Sequence, residues 1–179
     1  MKGIVFTEFL EMVEQTFGLE TVDEIIEASD LPSDGAYTSV GTYDFNEMVQ
    51  LLSNLSKKVN IPGGELLHTF GLYLFGRLQI AHPDVVSNYS DPILLVASIE
   101  DHIHVHVKKL YPDAELPTFT ILEKTDTRLS LIYQSSRGLY TFCKGLIEGA
   151  FQHFGQSAAV NYKLLEKNGT RVEFEILRK

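Results

Sequence analysis

The feature that most constrains this chain is a change of texture at Leu116-Pro117. Upstream of it, apolar side chains recur at three- and four-residue spacing, as in helices with one buried face. Downstream, short runs rich in β-branched and aromatic residues alternate with polar ones, as in strands with one buried face. A chain of 179 residues divided in this way reads as one α+β domain. Helices come first, followed by an antiparallel sheet that carries one inserted helix.

Residues 4–17 place Val5, Phe6, Phe9, Leu10, Val13 and Phe17 at helical spacing, and Gly18 is a natural stop. A short acidic helix over 21–28, a polar turn through Leu31-Pro32-Ser33-Asp34-Gly35 and a helix over 43–59 complete a small bundle. Pro62 can open the next helix, which carries Leu67, Phe70, Leu74 and Leu78 along one side. Gly71 sits in its middle, at a cost of about 1 kcal/mol against alanine. Close approach of a neighbouring helix, or of a flat ligand, would explain that glycine. His82-Pro83 ends the helix, and Asp91-Pro92 starts another as N-cap and first-turn proline.

After Pro117, strands are expected at 118–124, 128–134, 158–166 and 170–177, with turns at Asp126-Thr127 and Asn168-Gly169. Between the second and third, a helix over 137–154 carries the stripe Leu139, Phe142, Leu146, Phe151 and Phe154. Its small residues Gly145, Gly149 and Ala150 allow close packing.

Charge narrows the function. Twenty-four acidic against 15 basic residues give −9, which argues against a nucleic-acid backbone as partner. A single cysteine, Cys143, excludes intrachain disulfides and multi-cysteine metal sites. Acids among the apolar residues of the opening MKGIVFTEFLEM spoil a signal peptide. The longest apolar run, over 93–99, is too short to span a bilayer. A soluble cytoplasmic domain is expected.

Two clusters carry chemistry. His102, His104 and His106 follow the apolar run and precede Tyr111-Pro112. In a strand all three imidazoles would share a face as a possible metal triad; in a helix only 102 and 106 do. The N-cap and the pattern Leu95, Val96, Ile99, Ile103, Leu110 favour a helix, leaving His104 to be explained alone. Tyr133, Ser135 and Arg137 alternate at a strand end, with the arginine entering the next helix. Two hydroxyls and a guanidinium suit one or two carboxylates, although an ordinary polar strand end would look the same.

Together these motifs resemble the H-NOX family, the haem nitric oxide/oxygen-binding domain related to the sensory domain of soluble guanylate cyclases. A histidine before Tyr111-Pro112, then Pro117-x-Phe119, then Tyr133-x-Ser135-x-Arg137 carries the resemblance, which runs from Met1-Lys2-Gly3 to the final hairpin. Twenty-nine residues separate His104 from Tyr133, as the family pattern requires. The resemblance implies one H-NOX domain over 1–179, of the stand-alone bacterial type. A distal helical subdomain of about 1–60 would pack over a proximal, sheet-containing one of about 61–179, with haem between them. His104 would be the axial iron ligand, and Tyr133, Ser135 and Arg137 would bind the propionates. Pro117 would press on and bend the porphyrin; Phe9, Leu74, Leu78, Phe142 and Leu146 would line the haem. With no Cys-x-x-Cys-His, the haem would be b-type.

Family members that hold oxygen use a distal tyrosine on the helix after the Tyr-x-Ser-x-Arg motif. That position is Phe142 here; Tyr140 lies about 200° around the helix, and the supporting positions are Leu74 and Phe9. An apolar distal pocket withholds the donor that iron-bound oxygen needs. The resemblance therefore implies a non-enzymatic nitric oxide sensor that also binds carbon monoxide. Nitric oxide would weaken the Fe–His104 bond, the haem would relax, and a separate partner would read the change. That partner would be a histidine kinase or a cyclic-di-GMP synthase or phosphodiesterase, with the sensor itself monomeric. The alternatives are an oxygen sensor of the same fold, a histidine-triad metalloenzyme, or a haem-free interaction domain.

Overall fold

The computed structural model describes all of Met1–Lys179. It contains eight α-helices, one π-helical turn and a four-stranded antiparallel sheet, the α+β class expected from the change of texture. The chain divides into two compact units, Met1–Leu66 and Leu67–Lys179. No helix is long and apolar enough to cross a membrane.

The first unit holds α1 (Gly3–Phe17), α2 (Leu19–Glu27), α3 (Phe45–Val59) and the start of α4 (Gly63–Ala81). Its apolar stripes meet as their spacing predicts: Phe6, Phe9 and Val13 of α1, Ile25 of α2, and Leu51 and Leu55 of α3 are all buried. Gly18, at φ 89°, turns the chain between α1 and α2. Asp44 caps α3, its carboxylate accepting the Asn46 N–H at 2.8 Å. The following contacts fix the intervening loop. The Tyr37 ring stacks on Phe6 at 4.4 Å, and its hydroxyl donates to the buried Glu47 carboxylate at 3.0 Å. Burial and then Glu47 itself push the Tyr37 hydroxyl up to about 12, while Ser33 pulls the other way.

The second unit continues with α5 (Pro83–Val86), α6 (Pro92–Ala97), the π turn Ile99–Ile103 and α7 (His104–Leu110). Then follow β1 (Thr118–Lys124), β2 (Arg128–Gln134), α8 (Tyr140–His153), β3 (Ala158–Leu164) and β4 (Arg171–Arg178). The sheet order is β1-β2-β4-β3. Its central strands bury Leu129, Leu131 and Tyr133 on β2 and Val172, Phe174 and Ile176 on β4. Ile147 and Phe151 of α8 and Ile93 and Val96 of α6 belong to the same core.

The segment 91–110 is helical, as its cap and apolar spacing favoured, and a π turn interrupts it directly before His104; the Ile103 N–H reaches back to the Ser98 carbonyl at 3.4 Å. One expectation needs correction. The last helix starts at Tyr140, not at 137, because Gly138 takes a left-handed turn at φ 63°. Arg137 therefore lies in a turn. The four-residue α5 was not anticipated, being too short to show a period. Gly71 finds its explanation in a helix crossing. A Cβ on Gly71 would collide with the Phe142 carbonyl of α8 and lie 2.9 Å from the Gly145 Cα. A Cβ on Gly145 would collide with the His68 carbonyl and lie 3.0 Å from the Gly71 Cα.

Candidate functional site

Asp91 begins the histidine-bearing helix, its side chain accepting the Ile93 N–H at 2.8 Å and the Leu94 N–H at 3.3 Å. The helix does not aim its imidazoles at one point. His102 is exposed and its Nδ1 meets the Tyr89 hydroxyl at 3.1 Å, while the His106 ring lies 6.3 Å from that of His82. Both line a surface pocket of about 390 Å³ with Asp84, Asn88 and Tyr89. No group of three His, Cys, Asp or Glu side chains is placed to hold a metal ion.

His104 stands apart, as the first residue of α7, with its side chain 14% exposed. Its ring centroid is 5.6 Å from that of Phe119, and its Nδ1 is 3.5 Å from the Glu100 Oε2. That same carboxylate oxygen accepts the Phe119 N–H at 3.0 Å. Burial holds the imidazole below its usual pKa; Glu100 opposes this and Lys108 adds to it. A neutral imidazole is the form that can ligate a metal.

Phe119 passes the contact on to the second motif. It pairs across the β1–β2 ladder with Tyr133, at a centroid distance of 5.8 Å. Tyr133 is 2% exposed. Burial pushes its hydroxyl up to about 12, while hydrogen bonds with Ser135 and the Leu139 backbone pull the other way. The Ser135 Oγ accepts the Arg137 N–H at 3.2 Å, which closes the turn before α8. The Arg137 guanidinium donates to the Glu115 carbonyl at 3.2 Å and to its carboxylate at 2.6 Å. Pro117, half-buried, leads directly into β1.

Of the remaining candidates, Phe142 meets Phe70 at 5.2 Å between centroids, Leu74 is buried on α4, and Leu78 and Leu146 are half-buried. Tyr140 turns to Tyr162 on β3, at 5.1 Å. Phe9 is fully buried in the first unit. Two acids escaped the sequence reading. Glu100 could have been found by its place four residues before His104; Glu115 reaches Arg137 through the loop, and no spacing marks it.

The Haem-NO-binding family model matches residues 2–162. The chain belongs to the H-NOX family. A crystal structure of the unliganded Fe(II) H-NOX protein from K. algicida is 49% identical at a TM-score of 0.97, covering 100% of this chain and 97% of that one. The Fe(II)NO form of the S. oneidensis H-NOX protein is 30% identical at a TM-score of 0.92, with 100% and 99% covered. The IWP-051-bound Fe(II)CO form of H-NOX from Shewanella woodyi is 39% identical at a TM-score of 0.85, with 100% and 95% covered. H-NOX is a haem-based gas-sensor fold, and its solved members include nitric oxide and carbon monoxide complexes.

Proposed function

We propose that this chain is a nitric oxide sensor that holds ferrous b-type haem through His104. The observation that carries the reading is the path His104–Phe119–Tyr133, which ties a nearly buried imidazole to the Tyr-Ser-Arg cluster. The donor set fits haem better than a bare ion. A lone histidine is too few ligands for a free metal, but one suffices when a porphyrin supplies the other four. Tyr133 and Ser135 offer hydroxyls and Arg137 a guanidinium to the propionates. A hydrogen bond to a charged group is worth about 1.5–3 kcal/mol.

Haem bound here would be held by His104 and would supply an iron able to bind nitric oxide. The protein's part is to set which gas is held and what moves. Leu74 and Phe142 offer no hydrogen-bond donor, and Tyr140 is engaged with Tyr162, which supports nitric oxide and carbon monoxide over oxygen as ligands. Pro117, at the mouth of β1, would bear on the porphyrin and keep it bent. Release of His104 would free α7 and alter the surface that a histidine kinase, or a cyclic-di-GMP synthase or phosphodiesterase, reads. Such coupling needs a partner that distinguishes the two states.

The test is an absorption spectrum of the reduced protein in air, under nitrogen and with nitric oxide. The expected result is a five-coordinate ferrous haem that responds to nitric oxide and forms no stable oxy complex. A stable oxy spectrum would transfer the assignment to an oxygen sensor.

A further inference from the structure

We propose that Glu100 is a positioning residue that sets the strength of the iron–His104 bond, and with it the ease with which nitric oxide releases that histidine. The inference rests on His104 as the iron ligand and goes beyond it to what regulates that ligand.

The geometry is specific to one oxygen. The Glu100 Oε2 accepts the Phe119 N–H at 3.0 Å, which fixes it against the first residues of β1. The same Oε2 lies 3.5 Å from the His104 Nδ1. A carboxylate at this nitrogen places the ring proton on Nδ1 and leaves the Nε2 lone pair for iron. It also makes the ring a stronger donor, as outer carboxylates do for ligating histidines generally. The π turn contributes to this placement. Glu100 lies within Ile99–Ile103, and His104 follows at once. Because π turns are locally rewound, they recur where a helix must re-aim side chains at a functional site.

Glu100 also acts as a tether. Through Phe119, which pairs with Tyr133, it joins the histidine helix to the strand bearing the propionate motif. Movement of His104 away from the sheet must therefore break or drag this contact. A carboxylate here should hold the ligand on iron against nitric oxide, and its loss should let the histidine leave more readily.

The experiment compares the haem-loaded wild type with Glu100→Gln and Glu100→Leu. The readouts are the iron–histidine stretch by resonance Raman and the midpoint potential. Glutamine keeps an oxygen for the Phe119 N–H, so a merely structural role would leave both unchanged. The positioning role lowers the stretching frequency and raises the potential in Glu100→Gln, and more so in Glu100→Leu. Haem loss from the leucine variant should be roughly tenfold faster. If Glu100→Leu does not fold, Glu100→Gln alone decides. Wild-type frequency and potential in Glu100→Gln overturn the proposal while leaving His104 as ligand. Absence of an iron–histidine stretch in the ferrous wild type itself overturns the His104 reading, and the Glu100 proposal with it.

Discussion

The helix that carries His104 and the strand that carries Tyr133 differ in how firmly each is held. β2 is hydrogen-bonded along its length to β1 on one side and β4 on the other, and Leu129, Leu131 and Tyr133 are buried. By contrast, the π turn and α7 bury no residue at all; the anchorage of that segment lies upstream, in Ile93, Leu95 and Val96 of α6 and the Asp91 cap. Segments with few buried apolar contacts open at lower free energy than core strands. The strand proposed to face the propionates is thus firmly held, while the proposed iron ligand rides on a segment held by the partly buried Ile99 and Ile103 and by the contacts of His104 with Phe119 and Glu100. A sensor needs such a division, because a change at the iron must move one element while another stays still.

The largest effect should come from removing the proposed ligand. His104→Ala should lose the ferrous haem spectrum, and added imidazole should restore it by taking the vacated position. A variant that kept the five-coordinate spectrum without imidazole would break the comparison outright. Next in size is the fixed strand's response to alkali. Tyr133 keeps its proton up to about 12 when folded, against an ordinary value of 10.0. Above pH 10 the unfolded chain has released a proton that the folded chain retains, so stability is full below 10 and falls as pH rises toward 12. Tyr133's share of the loss should be roughly 3 kcal/mol across that window, alongside a further share from Tyr37, which is likewise held up to about 12. Denaturant titrations at several pH values would measure the loss, and Tyr133→Phe should remove the Tyr133 share of the slope. A smaller effect, about 2 kcal/mol of destabilisation, is expected from Gly145→Ala, because a Cβ there meets backbone of α4 rather than a yielding side chain. A neutral outcome in thermal unfolding would mean that the α4–α8 crossing is softer than its geometry implies.

The sequence was a good guide wherever a repeating pattern existed. β1 and β2 fall at 118–124 and 128–134 as alternation placed them, and α1 and α3 follow their apolar stripes. It was a poorer guide where backbone conformation departs from a period. The left-handed Gly138 delays α8 to Tyr140 and leaves Arg137 in a turn, and nothing in a 3.6-residue pattern reveals that. The π turn is hidden for the same reason: it changes the angular offset between Glu100 and His104 without changing the residue types that compose a helix. Glu115 shows the other limit. Its contact with Arg137 crosses 22 residues and arises from the path of the loop before Pro117. The α+β class could be read from texture; the acids around the site needed coordinates.

The smallest expected effect separates His104 from its neighbours. His102 and His106 have the same chemistry and lie two residues away on either side, so residue type cannot distinguish them. The structure does, because the two turn to Tyr89 and toward His82 at the surface, while His104 turns to Phe119 and Glu100. Surface substitutions of this kind usually change stability by no more than about 0.5 kcal/mol. His102→Ala and His106→Ala, singly and together, should stay within that range in urea unfolding and leave the ferrous spectrum and its response to nitric oxide unchanged. Loss of bound metal or haem from the double variant would instead mean that the cluster acts as a unit. In that case the contrast between one tethered ligand and two bystanders would not hold.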